Sequence, residues 1–155
     1  DATSAGYQAA GNWYGVLSAV QSIAAVIWSY VLAKVPNKYH KLGYGGSLLL
    51  GALGFISVFF VHDQWTLIVS YTLVGIAWAA MNTYPFTNAL TGKHMGTYLG
   101  LFNGSICLPQ IIASLLSFAL FPLFGHSQAH MFILAGIVMA LGALSVATIK
   151  ETYAE

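Results

Sequence analysis

The chain has 155 residues, of which 58% are hydrophobic and only 6% charged, with a mean hydropathy of +0.75. A soluble domain carries about a quarter charged residues, so this composition excludes a water-soluble globule and points to an integral membrane protein. Its apolar runs are continuous rather than alternating, which selects helices over a barrel. A net charge of +1 offers nothing to nucleic acid, and the single Cys107 excludes an internal disulfide and a CxxC metal site. Position 1 is Asp and no basic, signal-like leader opens the chain, so it is expected to begin inside something longer.

Charged residues punctuate five spans. The first covers residues 13–33 and ends at Lys34, which opens the basic loop Lys34-Val-Pro-Asn-Lys-Tyr-His-Lys41. Pro36 and Asn37 make that loop a turn. The second span covers 42–61 and is rich in glycine; His62-Asp63-Gln64 closes it. The third covers 65–90 and contains Pro85, and Thr91 to Gly96 follow as a loop. The fourth covers 97–124, and its middle holds Asn103, Pro109 and Gln110. Gly100, Asn103, Cys107, Gln110, Ser114 and Ser117 recur at steps of three or four, one polar or small stripe on a helix that must face protein or water. Pro109 removes a backbone donor and favours a kink. The fifth span covers 131–149 and runs into the polar tail from Lys150. Each span has the roughly 20 apolar residues that a bilayer needs.

All five basic side chains, Lys34, Lys38, Lys41, Lys93 and Lys150, follow the first, third and fifth spans and so share one face of the membrane. Lysines in short loops stay cytoplasmic, which predicts the N-terminus outside and the C-terminus inside the cytoplasmic (plasma or inner) membrane.

A weak repeat runs through the chain. Gln21-Ser-Ile-Ala-Ala-Val-Ile27 resembles Gln110-Ile-Ile-Ala-Ser-Leu-Leu116 at an offset of 89, and each glutamine follows a glycine, Gly15 or Gly104, by six. Gly51-Ala-Leu-Gly-Phe-Ile-Ser-Val58 resembles Met139-Ala-Leu-Gly-Ala-Leu-Ser-Val146 at an offset of 88. Spans one and two thus echo spans four and five while crossing in opposite senses, an inverted repeat of the kind found in transporters. On that reading, span three lacks its partner, which belongs upstream of residue 1.

No Asp, Glu or Lys lies in the middle of a span, and the histidines sit in loops or at span ends. His126 and His130 are four apart, but two ligands make a weak metal site. Nucleotide-binding loops, nucleophile elbows and HExxH are missing. These residues describe a non-enzyme without cofactor or metal.

The neutral polar groups are unevenly placed. Span one has Gln21, span three has Asn82 and Asn88, span four has Asn103 and Gln110, and spans two and five have no amide. Three helices are therefore expected to face a polar cavity, with two packing outside through Gly43, Gly46, Gly51, Gly54, Gly136 and Gly142. Tyr14, Ser18, Gln21 and Ala25 share a face of span one, and Gly75, Trp78, Asn82 and Phe86 share one of span three. Aromatic rings beside neutral amides suit a neutral polyhydroxylated solute. Gln21, Trp78, Asn82, Asn103 and Gln110 are the candidate binding residues. The bland alternative makes them interhelical glue, and Asn88, near the cytoplasmic end, fits glue or a cap. Trp13 and Trp65 fit interface anchors.

Two stretches carry a resemblance. Gly75-Ile-Ala-Trp-Ala-Ala-Met-Asn-Thr-Tyr-Pro-Phe-Thr-Asn-Ala-Leu90 and Gly96-Thr-Tyr-Leu-Gly-Leu-Phe-Asn-Gly-Ser-Ile-Cys-Leu-Pro-Gln-Ile-Ile-Ala-Ser114 resemble the tenth and eleventh spans of sucrose/proton symporters. Those belong to the glycoside-pentoside-hexuronide:cation branch of the major facilitator superfamily. Pro85-Phe86 matches the family's Pro-Phe, and Gly100, Asn103, Pro109 and Gln110 match its Gly-x-x-Asn-x-x-x-x-x-Pro-Gln pattern. The resemblance covers essentially the whole chain as spans eight to twelve of twelve, an incomplete C-terminal helical bundle over residues 1–155. It implies spans eight, ten and eleven at the cavity and nine and twelve outside. It further implies symport of a neutral sugar, such as the disaccharides sucrose or maltose, with a cation, in practice a proton, together with the N-terminal half of the same transporter. The loop Pro36-Asn-Lys-Tyr-His40 departs from the superfamily by lacking its arginine-rich motif. The competing expectation is a small five-span structural or assembly subunit whose amides serve packing.

Overall fold

A computed structural model describes residues 4–89 and 95–149, with the side chains of 85–89 left out. Lys93, Lys150 and Asp1, on which part of the orientation argument rests, lie outside the described residues, as do the side chains of Pro85, Phe86 and Asn88. The order is α1 (Ala5–Leu32), a 3-10 turn (Asn37–Tyr39), α2 (His40–Phe60), α3 (Leu67–Ala89), α4 (Met95–Leu123) and α5 (Gln128–Val146). Among the described residues there is no strand. All five helices are long and apolar enough to cross a bilayer, so this is a helical membrane protein.

Helix ends follow local chemistry more closely than hydropathy. α1 starts well before Trp13 because Ser4 caps it, its hydroxyl accepting from the Tyr7 amide at 3.3 Å. Asp63 organises the entry to α3, its carboxylate accepting from the amides of Trp65 (3.0 Å) and Thr66 (3.1 Å). α5 stops at Val146, short of Ile149. There the Lys41 ammonium donates to the carbonyls of Ala147 (2.8 Å) and Ile149 (2.6 Å), a cation at the negative end of a helix. Gly125 (φ 63°) and His126 (φ 59°) both take left-handed backbone in the turn from α4 to α5.

Four helices pack in a row, α1 against α3, α3 against α2 and α2 against α5. Small residues set this order, since membrane helices associate where their backbones can approach. Gly75 of α3 leaves room for the Gln21 carbonyl and Ala24 of α1. Gly51 of α2 lies against Ala77 and Met139, Gly54 against the Ser70 carbonyl, and Gly136 of α5 against Ile56 and the Ala52 carbonyl. Side-chain bonds tie two of these pairs, Ser57 and Ser70 sharing a bond of 2.8 Å and Thr83 Oγ1 donating to Ser29 Oγ (3.1 Å), and a third joins α1 directly to α2, where Trp28 Nε1 donates to Ser47 Oγ (2.9 Å). At one end Trp13 donates to the Gln64 carbonyl (3.2 Å) and packs edge-on to Trp65.

The amide count thus misplaces α2. Amide-free and expected outside, it sits in the middle of the row, because glycine and alanine, not amides, decide which helix others can approach. Gly43, Gly51, Gly54 and Gly136 make the expected close contacts; Gly46 and Gly142 have open space where a Cβ would stand.

α4 is the outlier. None of its residues is buried. It touches α3 and α5, and lightly, and faces α2 and α5 across an apolar groove of about 870 Å³, to which it presents Leu108, Ile112, Ala113, Leu116 and Leu120. Pro109 and Pro122 lie within it.

Candidate functional site

Tyr71, Val74, Trp78 and Asn82 follow at steps of three or four, hence in one line on α3 between the sides taken by α1 and α2, with Val74 itself against Gly54 of α2. Gly75 flanks this line and lets α1 approach, which brings Gln21 beside it. Gln21, half-buried, lines a hollow of about 220 Å³ with Tyr14, Tyr71, Val74, Phe55, Val58 and Phe132. Farther along the same line Trp78, at the midpoint of α3, is half-exposed (51%). Asn82 Nδ2 donates to the Trp78 carbonyl at 2.8 Å, which leaves its own oxygen and second N–H for another partner. The result is an open, uncharged surface that offers two phenols, two amides and an indole. The four acidic residues of the chain are Asp1, Asp63, Glu151 and Glu155, so no carboxylate lies in any of the five helices.

Of the five expected binding residues, Gln21, Trp78 and Asn82 share this surface. Asn103 and Gln110 do not join it. At 100° per residue, the middle of the α4 face that Leu108, Ile112, Leu116 and Leu120 turn to the groove lies well over a right angle from Asn103, Gln110 and Ser114, although Leu120 at its edge is only about 80° from Gln110. Asn103, Gln110 and Ser114 are exposed on α4, with Ser114 Oγ donating to the Gln110 carbonyl (2.8 Å), whereas Ser117, the last of the stripe, borders the groove. Ser114 and Ser117 also line a second hollow of about 630 Å³, with Phe121, His126 and Met131.

Tyr71 was not singled out by the sequence, although it precedes Gly75 by one turn on the stripe and was there to be found. The Ser57–Ser70 and Thr83–Ser29 bonds were also missed, since isolated hydroxyls carry no pattern. His126 packs edge-on to Phe121 and His130 stacks on Phe124. Among the described residues no three His, Cys, Asp or Glu side chains gather closely enough to hold a metal. Comparison with protein families, with curated proteins and with solved structures finds no match to this chain.

Proposed function

We propose that these helices form the C-terminal portion of a secondary transporter that carries a neutral sugar by cation symport, in the manner of the glycoside-pentoside-hexuronide:cation branch of the major facilitator superfamily. The observation that carries the reading is the uncharged aromatic-amide surface of α1 and α3, with Trp78 at the midpoint of α3 between Tyr71 and Asn82. A disaccharide has hydroxyls for Gln21, Asn82 and the two tyrosines and C–H faces for the Trp78 ring. Neutral groups suit it because they hold a neutral solute without trapping an ion. The resemblance of α4 to the eleventh span implies Asn103 and Gln110 on the pathway as well, but in the structure they stand apart from this surface.

Alternating access in such a protein rocks one bundle against another around a site between them. The open surface is then the half-site that a second bundle covers. Moving a proton with the sugar requires an ionisable group in the membrane, and it must come from outside these five helices. The lysine-bearing end is the cytoplasmic one, which sets the C-terminus inside.

The test is sugar uptake by the full-length protein. Asn82→Ala and Gln21→Ala each remove a hydrogen bond worth about 1 kcal/mol, raising the half-saturating sugar concentration several-fold. Leu144→Ala, on the outward side of α5, leaves it unchanged. An effect of the leucine change with none from the amides would place the solute elsewhere, and no transport in any form would favour a structural subunit.

A further inference from the structure

We infer that the hollow beside Gln21 and Tyr71 takes a single hexose ring, and that it and the Trp78 face are two subsites which together select a disaccharide over its component sugars. The inference rests on the sugar reading above. It adds to that reading the side chains that set the size of the solute, some of them on α2 and α5, the helices expected outside the cavity.

All four helices of the row line the hollow. α1 gives Tyr14 and Gln21, α3 gives Tyr71, α2 gives Phe55 and Val58, and α5 gives Phe132. The glycines explain its shape. Gly75 brings α1 onto α3, Gly54 brings α2 onto Ser70 and Val74 of α3, and Gly136 seats α5 on α2. A ring stands within a turn of each of these contacts: Tyr71 four residues before Gly75, Phe55 next to Gly54, and Phe132 four residues before Gly136. Backbones that approach closely, with long side chains beside the contact, leave a depression walled by rings.

The walls differ in chemistry. Phe55 and Phe132 stack at 25° with their centroids 6.1 Å apart, which makes one side flat and aromatic. Across the row, α1 offers the Tyr14 phenol and the Gln21 amide, and α3 adds the Tyr71 phenol between them. Among the described residues these three polar groups have no hydrogen-bond partner. A hexose ring has an apolar C–H face for the phenylalanines and an edge of hydroxyls for the phenols and the amide.

Size decides how much of the solute enters. At about 30 Å³ per water, the 220 Å³ of the hollow holds about seven waters, the space of one hexose unit and well short of two. The second ring of a disaccharide must therefore lie outside it. Val74 lines the hollow, and Trp78 follows by one turn, about 6 Å along the axis, comparable with the step between rings across a glycosidic bond. Gln21 lies against Gly75, which sets it between Tyr71 and Trp78 in depth, at the level of that bond. The half-exposed Trp78 ring then carries the second sugar, with Asn82 one turn farther on for its hydroxyls. Joining two rings makes the second contact intramolecular, so the disaccharide binds far more tightly than either ring alone.

Counterflow tests this in proteoliposomes of the full-length protein preloaded with unlabelled sucrose, with entry of labelled sucrose competed by sucrose, glucose or fructose. In the unaltered protein sucrose should compete at concentrations at least about tenfold below either hexose. Val58→Phe puts a ring into the hollow from a half-buried position on α2. It should narrow that gap to about twofold, by weakening sucrose while the hexoses still compete through Trp78. Phe132→Trp fills the hollow from α5, and the same narrowing is expected from it should Val58→Phe fail to assemble. A gap that survives these substitutions overturns the two-subsite proposal and leaves the sugar reading standing, because sucrose still crosses. Hexoses that compete as well as sucrose in the unaltered protein overturn the proposal in the same way. Absence of sucrose counterflow in the unaltered protein removes the sugar reading and the proposal with it.

Discussion

Gly75→Ala bears most directly on the α1–α3 pairing that builds the open surface. A Cβ at position 75 would stand 2.5 Å from the Gln21 carbonyl oxygen and 3.1 Å from the Ala24 Cβ. Carbon and carbonyl oxygen rest at about 3.3–3.6 Å, so the helices must part by about 1 Å at that level. Separation on this scale strains the Thr83–Ser29 bond, 3.1 Å long, and forfeits a quarter to a half of each dispersion contact along the seam. Overpacking of this kind costs about 1–3 kcal/mol, while replacing glycine in a helix returns up to about 1 kcal/mol. Gly46→Ala isolates the second term, because Gly46 is in α2 with nothing within 4 Å of its Cβ position. The difference between the two variants is then the overpacking term. Unfolding by dodecyl sulfate in bicelles, followed by tryptophan fluorescence, measures it, and Gly75→Ala should unfold at a clearly lower mole fraction than Gly46→Ala. Coincident curves would mean that α1 and α3 do not meet at this glycine, and the site built on their contact would fall with it.

Further outcomes follow from single contacts. A double-mutant cycle on Ser57→Ala and Ser70→Ala should give a coupling of about 0.6 kcal/mol; zero coupling would deny the 2.8 Å bond. Lys41→Met removes the donor to the Ala147 and Ile149 carbonyls, so amide exchange should accelerate in the last turn of α5 and nowhere else in that helix. On a Cys107→Ser background, an impermeant maleimide applied from outside should label Gln64→Cys and Ser127→Cys but not Asn37→Cys; the reverse pattern would invert the orientation. Residues 1–155 alone, reconstituted in liposomes under a proton gradient, should not accumulate sucrose or maltose, because no carboxylate lies in the five helices.

The spans were legible because burying a charge in hydrocarbon is costly, so Lys34, Asp63 and their neighbours mark where helices leave the membrane. Caps such as Ser4 and Asp63 moved the ends by local bonds that hydropathy does not register. The surface was legible in part: Gly75, Trp78 and Asn82 declared one face of α3 by spacing, and Gln21 declared the face of α1 that meets it. The order of the helices was not legible, since it depends on which glycines find a partner. Gly51 and Gly142 look alike in sequence, yet one is filled by Ala77 and Met139 and the other is open. Asn103 and Gln110 were legible as a stripe but not as to what the stripe faces, because α4 has so little to pack against among these helices.

The central claim is that Trp78, Asn82 and Gln21 hold a neutral sugar in transit, and counterflow tests it most directly. Proteoliposomes of the full-length protein, preloaded with unlabelled sucrose, should take up labelled sucrose saturably, with Trp78→Ala and Asn82→Ala raising the half-saturating concentration several-fold and Leu144→Ala leaving it alone. Saturable counterflow that is indifferent to Gln21, Trp78 and Asn82 together would contradict the account, since a sugar would then cross without touching the surface assigned to it.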